Sequence, residues 1–68
     1  MSVYKVIELV GTHPVSWEKA AANAVEQATK TLRDLRIGEV VKMDMVIEDG
    51  KVTAYRTRLA ISFKFEGS

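Results

Sequence analysis

The 68-residue chain has no cysteine, one histidine, one proline and one tryptophan. Without cysteine there is no disulfide framework, no thiolate zinc site and no cysteine chemistry. The lone His13 excludes any site built from two imidazoles. A charge excess is also missing. Ten basic residues face nine acidic ones, a formal net charge of +1, whereas dedicated nucleic-acid binders show a basic surplus. No apolar run approaches the ~18 residues of a membrane helix, and the first fifteen residues lack the basic start and apolar stretch of a signal peptide. What is present, 47% apolar and 28% charged, is the composition of one globular domain over 1–68, expected to be cytoplasmic.

So short a chain poses a stability problem. Below roughly 70–80 residues a lone core rarely supplies more than ~3–5 kcal/mol, and disulfides, metals or partners make up the difference. With the first excluded, association of identical copies is the most economical answer.

Three apolar segments and one helical pattern organise the chain. Val3 to Val10 is rich in β-branched residues and reads as a strand, apolar on both faces and ended by Gly11. Gly11 to Val15 reads as a loop. Ser16 stands where an N-cap belongs, with Glu18 in the first turn. From there Trp17, Ala20, Ala21, Ala24, Ala28, Thr31, Leu32 and Leu35 recur at helical spacing, predicting an amphipathic helix of about five turns that ends at Gly38. Its alanine stripe allows close approach to a sheet. A second strand is expected over Glu39 to Ile47 and a third over Lys51 to Glu66.

The turn between them follows from parity. Val41, Met43, Met45 and Ile47 share one face, as do Tyr55, Leu59, Ile61, Phe63 and Phe65. A two-residue Asp49-Gly50 loop would set Arg56 and Arg58 among the methionines. A three-residue Glu48-Asp49-Gly50 loop, with Gly50 left-handed at a bulge, pairs odd with odd, and is the expected form. The result is an α+β fold of β-α-β-β order. Its three-stranded antiparallel sheet has order 1-3-2, with the apolar third strand central and the helix on one face. Met43 and Met45 are expected in the core.

These elements carry recognisable sequence. The opening VYKVIELVGT, the helix start SWEKAAANAV and the closing AYRTRLAISFKFE resemble the dodecin family over essentially the whole chain. The resemblance implies a hollow shell of twelve β-α-β-β protomers that stores or buffers a small ligand without turning it over. It also implies flavin-pocket positions that are substituted here. Flavin-binding members carry a tryptophan before the E-V of the second strand, where this chain has Ile37, followed by Gly38. Isoleucine offers no planar π surface. They place a glutamine after the tyrosine of the third strand; here Arg56 offers donors and no acceptor. Bacterial members often carry an arginine near the flavin phosphate, where Asp44 stands here with reversed charge. These departures make the chain similar to the calcium dodecin subgroup, which implies calcium in place of flavin.

Calcium takes six to eight oxygens at roughly 2.3–2.6 Å, and Glu48-Asp49-Gly50 is too short for an EF-hand loop. Asp44 is the leading metal-ligand candidate, with Glu48 on the same face if the strand reaches it. The plainer reading pairs Asp44 with Arg56 or Lys42 across the strands. Arg56 and Arg58 read as subunit salt-bridge partners, with an anion such as a nucleotide phosphate as the alternative, and Trp17 as a core or interface packing residue. No catalytic constellation forms: Ser16 has no base beside it, and Gly11-Thr12 is not a phosphate loop. The expected function is a non-enzymatic homododecamer that binds calcium, with itself as partner and neither nucleic acid nor membrane involved. A flavin store, a shell without ligand and an adaptor that completes another protein's sheet by edge pairing stay open as alternatives.

Overall fold

The computed structural model describes residues 2–65. Strand β1 spans Tyr4–His13, helix α1 Trp17–Thr29, strand β2 Leu35–Glu48 and strand β3 Lys51–Lys64. Both outer strands pair antiparallel with β3, giving the expected order β1-β3-β2. The third strand was expected to reach Glu66, which lies outside the described residues. Pairing does continue past β3, where Phe65 N–H donates to Val3 O at 2.8 Å. Among the described residues no helix is long and apolar enough to cross a membrane.

β1 runs through Gly11 where a strand end was expected, and Gly11, Thr12 and His13 pair with Thr57, Arg56 and Tyr55. The glycine marks close approach rather than a turn. A Cβ there would run into the Ala20 carbonyl of α1 and reach 3.0 Å from Ala24 Cβ. His13 therefore ends a strand, and its Nδ1 accepts from the Val15 N–H at 3.1 Å.

Ser16 caps α1 as its position predicts. Its backbone is extended, and Oγ accepts from the Lys19 N–H at 3.1 Å. The helix stops at Thr29, six residues short of the expected Leu35. The N–H groups of Lys30 and Thr31 turn to carbonyls three residues back, at 3.2 Å each, and Asp34 then adopts a left-handed φ of 56°. Leu32 and Leu35 still pack against the core, from the connection and from β2. The apolar period outlasts the helix because the core collects these side chains from other conformations. β2 accordingly opens at Leu35 rather than Glu39, and Gly38 sits inside it opposite Ile61.

The hairpin also differs from expectation. Glu48 pairs with Lys51, so Asp49 and Gly50 form a two-residue loop, both with positive φ, at 50° and 75°. That is the type I′ combination. Parity is restored one step later. Val46 faces Ala54 and Ile47 faces Val52, which leaves Thr53 as an extra residue on β3. Beyond it Met45 faces Tyr55 and Met43 faces Thr57, odd with odd as the side chains require. Further irregularities fall at Val41 and Arg36.

The core lies between α1 and the sheet's centre. Ala24 and Ala28 meet Leu59 and Ile61, and Ala20 and Thr57 are buried as well. Thr57 Oγ1 donates to the Trp17 carbonyl at 2.9 Å, so no buried side-chain polar atom is left without a partner among the described residues. Met43 and Met45 were expected here, but within one chain they are 58% and 42% exposed. The short helix crosses β1 and β3 and leaves most of β2 uncovered.

Candidate functional site

The face of the sheet turned away from α1 carries the even residues of β3. Thr57, Leu59 and Ile61 are buried under the helix, so Arg56 and Arg58 project to the other side. Opposite Arg56, the register places Asp44. Arg56 Nε donates to Asp44 Oδ1 at 2.7 Å and Nη2 to Oδ2 at 2.8 Å. This bidentate fork holds the Asp44 carboxyl below its ordinary pKa, chiefly through the Arg56 hydrogen bond, with the charges of Arg56, Arg58 and Lys42 adding to it. The same contact raises Arg56. Arg58 Nη1 reaches Glu8 Oε1 of β1 at 3.3 Å. Both arginines thus find acids within their own chain.

The Asp44 backbone is pinned from the helix side. Trp17 Nε1–H donates to the Asp44 carbonyl at 2.9 Å, across 27 residues of sequence. The Trp17 ring also meets Tyr55 edge-on, with centroids 4.9 Å apart and planes at 71°. Trp17 is a half-buried packing residue, as its place on the helical stripe predicts, and in addition the post that sets Asp44. The indole's reach to an edge-strand carbonyl has no signature in the sequence.

β2 does extend to Glu48, and the even step from Asp44 puts both carboxylates on one side. Four residues of strand separate them by about 13 Å, too far to share an ion in one chain. Among the described residues no three His, Cys, Asp or Glu side chains gather as a metal cluster. A carboxylate is the donor type a hard cation takes, but here both oxygens of Asp44 are held by Arg56, with the positive charges of Arg58 and Lys42 beside them. A carboxylate offers about four lone-pair sites and Arg56 occupies two of them. One chain therefore offers too few free oxygen donors here to enclose such an ion.

Ile37 lies on the same face, opposite Ser62, and is 65% exposed. With Tyr4, Arg36 and Ser62 it lines a shallow concavity of about 400 Å³. Sequence reasoning singled out Ile37 alone; Tyr4 and Ser62 join it through the register, and Arg36 because the bulge displaces it. Arg56 stands six residues of β3 from Ser62, about 20 Å away. Ile37 and Arg56, expected from the family resemblance to mark a flavin pocket, therefore do not meet within one chain.

Comparison with known proteins matches this arrangement over nearly its whole length. The family profile described as Dodecin matches residues 3–66. Calcium dodecin of Mycobacterium tuberculosis is 51% identical over 65 residues, which cover 94% of this chain and 90% of that protein. The solved structure of dodecin from Streptomyces coelicolor superposes with a TM-score of 0.93 at 40% identity, covering 98% of this chain and 96% of the other. The crystal structure of the Mycobacterium tuberculosis calcium dodecin, a calcium-chelating antigen with a novel calcium-binding site, gives a TM-score of 0.85 at 47% identity, again covering 98% and 96%.

Proposed function

The chain belongs to the dodecin family, and from that premise we propose a binding protein rather than an enzyme, whose identical copies assemble into a twelve-subunit shell. Calcium is the ligand in this reading, held at sites completed between copies. The observation that carries the assembly is the uncovered apolar surface of β2 and the hairpin. Val40, Val41, Met43, Met45, Ile47 and Val52 are all exposed in one chain. β1 pairs with β3 only from Tyr55 onward, so the outer hairpin projects as a two-stranded ribbon. Such a ribbon is marginal alone, and a second copy packed on it would bury the methionines and isoleucine.

Two features support calcium over flavin. The 51%-identical relative bears the name calcium dodecin. At the flavin-pocket positions Ile37 cannot stack a planar ring, and Arg56 is committed to Asp44. Asp44 is the proposed ligand, joined by Glu48 or backbone oxygens from neighbouring copies, because one chain places these groups too far apart. Hard oxygen donors suit calcium's six to eight coordination positions. The reading involves no nucleic acid or membrane and places the shell in the cytoplasm.

Light scattering on the purified protein tests the assembly. The expected mass is twelve times the 7.6 kDa of one chain. A well-folded monomer at nanomolar dilution overturns it. Calorimetric titration with calcium chloride, on the wild type and on Asp44→Ala, tests the ligand. The expected result is binding heat that the substitution removes, and the absence of heat from both proteins refutes calcium.

A further inference from the structure

The third strand gives out where the hairpin begins to project. β1 ends with His13 opposite Tyr55, and beyond that pair only β2 and β3 run on to the turn. A two-stranded ribbon twists more than a wider sheet and has little of its own to hold a direction. One residue grips both of its strands at the root. Trp17, the first residue of α1, donates from Nε1 to the Asp44 carbonyl of β2 at 2.9 Å. Its ring meets Tyr55 of β3 edge-on, with centroids 4.9 Å apart. Its own carbonyl accepts from Thr57 Oγ1 at 2.9 Å, one turn from the Ser16 cap that fixes the helix start. Trp17 is thus tied to the core by its backbone and to the root of the ribbon by its side chain.

The ribbon's direction matters because of what it carries. Met43 and Met45 at its root, and Ile47 and Val52 along it, are the exposed apolar side chains that a second copy would cover. We infer that Trp17 is a positioning residue for assembly, setting the angle at which the ribbon leaves the core and so the angle at which copies meet. This rests on the assembly reading of the chain. Copies close into a finite shell only when each contact repeats the same rotation, and contacts that miss it run on as open assemblies. An angular error that one chain tolerates is therefore amplified by closure. Packing would require only the indole ring; the N–H adds a directional tie to an edge strand 27 residues away.

The experiment is light scattering through a dilution series on the full chain, for wild type, Trp17→Phe, Trp17→Ala and Thr57→Val. It reads the mass, the spread of masses and the concentration of half-dissociation, with circular dichroism to confirm folding. Trp17→Phe keeps a ring against Tyr55 and removes the bond to Asp44. Thr57→Val is the matched control, removing a hydrogen bond of equal length at the backbone of Trp17 and leaving the indole in place. Half-dissociation of Trp17→Phe is expected at a concentration about fivefold above that of Thr57→Val, the scale of one hydrogen bond. Trp17→Ala, without the ring, is expected to give a broad spread of masses where wild type and Thr57→Val give one. Equal half-dissociation in Trp17→Phe and Thr57→Val overturns the inference, since loss of stability then suffices. A single wild-type mass in folded Trp17→Ala overturns it too, and both results leave the assembly reading intact. Should Trp17→Ala not fold, the comparison of Trp17→Phe with Thr57→Val decides alone. A wild type that is a monomer throughout removes the assembly reading and the inference together.

Discussion

Gly11→Ala is the substitution whose effect the structure defines most sharply. The residue is buried in β1, opposite Thr57, at the point where α1 crosses the sheet. The added methyl would collide with the carbonyl of Ala20, a backbone group, and come to 3.0 Å from Ala24 Cβ. Neither can swing aside. Relief requires α1 to lift, and the same helix holds Ala24 and Ala28 against Leu59 and Ile61. Overpacking of this kind costs typically 1–3 kcal/mol, and a rigid obstruction places Gly11→Ala at about 3 kcal/mol. For domains of this size each kcal/mol is worth about 4–8 °C in melting temperature. The assay is thermal melting by circular dichroism at one fixed protein concentration, since linked assembly makes the midpoint concentration-dependent. Two controls isolate the cause. Gly38→Ala meets nothing nearer than Val25 Cγ2 at 4.0 Å and should be neutral or stabilising by up to about 1 kcal/mol. Adding Ala24→Gly to Gly11→Ala should not restore stability, because the blocking atom belongs to Ala20. A melting temperature for Gly11→Ala equal to wild type, or rescue by Ala24→Gly, refutes the close-approach argument.

Three further outcomes follow from the same geometry. Gly50→Ala places a side chain at φ 75° in the I′ turn and should cost about 1–2 kcal/mol, with Gly50→Asn milder, in urea denaturation. Thr57→Val keeps the buried shape but deletes the hydroxyl bond to the Trp17 carbonyl, an expected loss of about 1 kcal/mol by the same measurement. Asp44 has a folded pKa below its ordinary 3.8, so its ion pair contributes stability fully above that value and loses it as pH falls through the lowered pKa. Asp44→Asn should therefore lack that part of the acid-induced loss of stability, as followed by denaturation midpoints from neutral to strongly acidic pH. An acid profile identical to wild type would contradict the pairing.

The candidate site was partly legible. Asp44 and Arg56 were both singled out, and their pairing across the strands was the plainer expectation for Asp44, because opposite charges on facing strands attract whatever else they do. The common side of Asp44 and Glu48 also followed from strand period. What could not be read was that Ile37 and Arg56 sit at opposite ends of one face. That is a property of register. Three irregularities, at Arg36, Val41 and Thr53, shift it, and none has a glycine to announce it. The hairpin shows the same limit. The parity argument reached the correct pairing of odd with odd for Met43 and Met45 through the wrong turn, and the bulge at Thr53 sets them opposite Tyr55 and Thr57, two residues further along β3 than a three-residue loop would.

Local chemistry decided the element order, the Ser16 cap, the left-handed Gly50 and the central place of β3. Each follows from side-chain period or from a single residue's backbone preference, both of which act within a few neighbours. Packing decided the rest. It made Gly11 a contact point instead of a strand end, stopped α1 at Thr29 while its apolar spacing continued, and left Met43 and Met45 beyond the helix's reach. The reason is that an apolar pattern records which side chains seek burial, whereas the length of the helix and the line on which it crosses the sheet determine which of them one chain can cover.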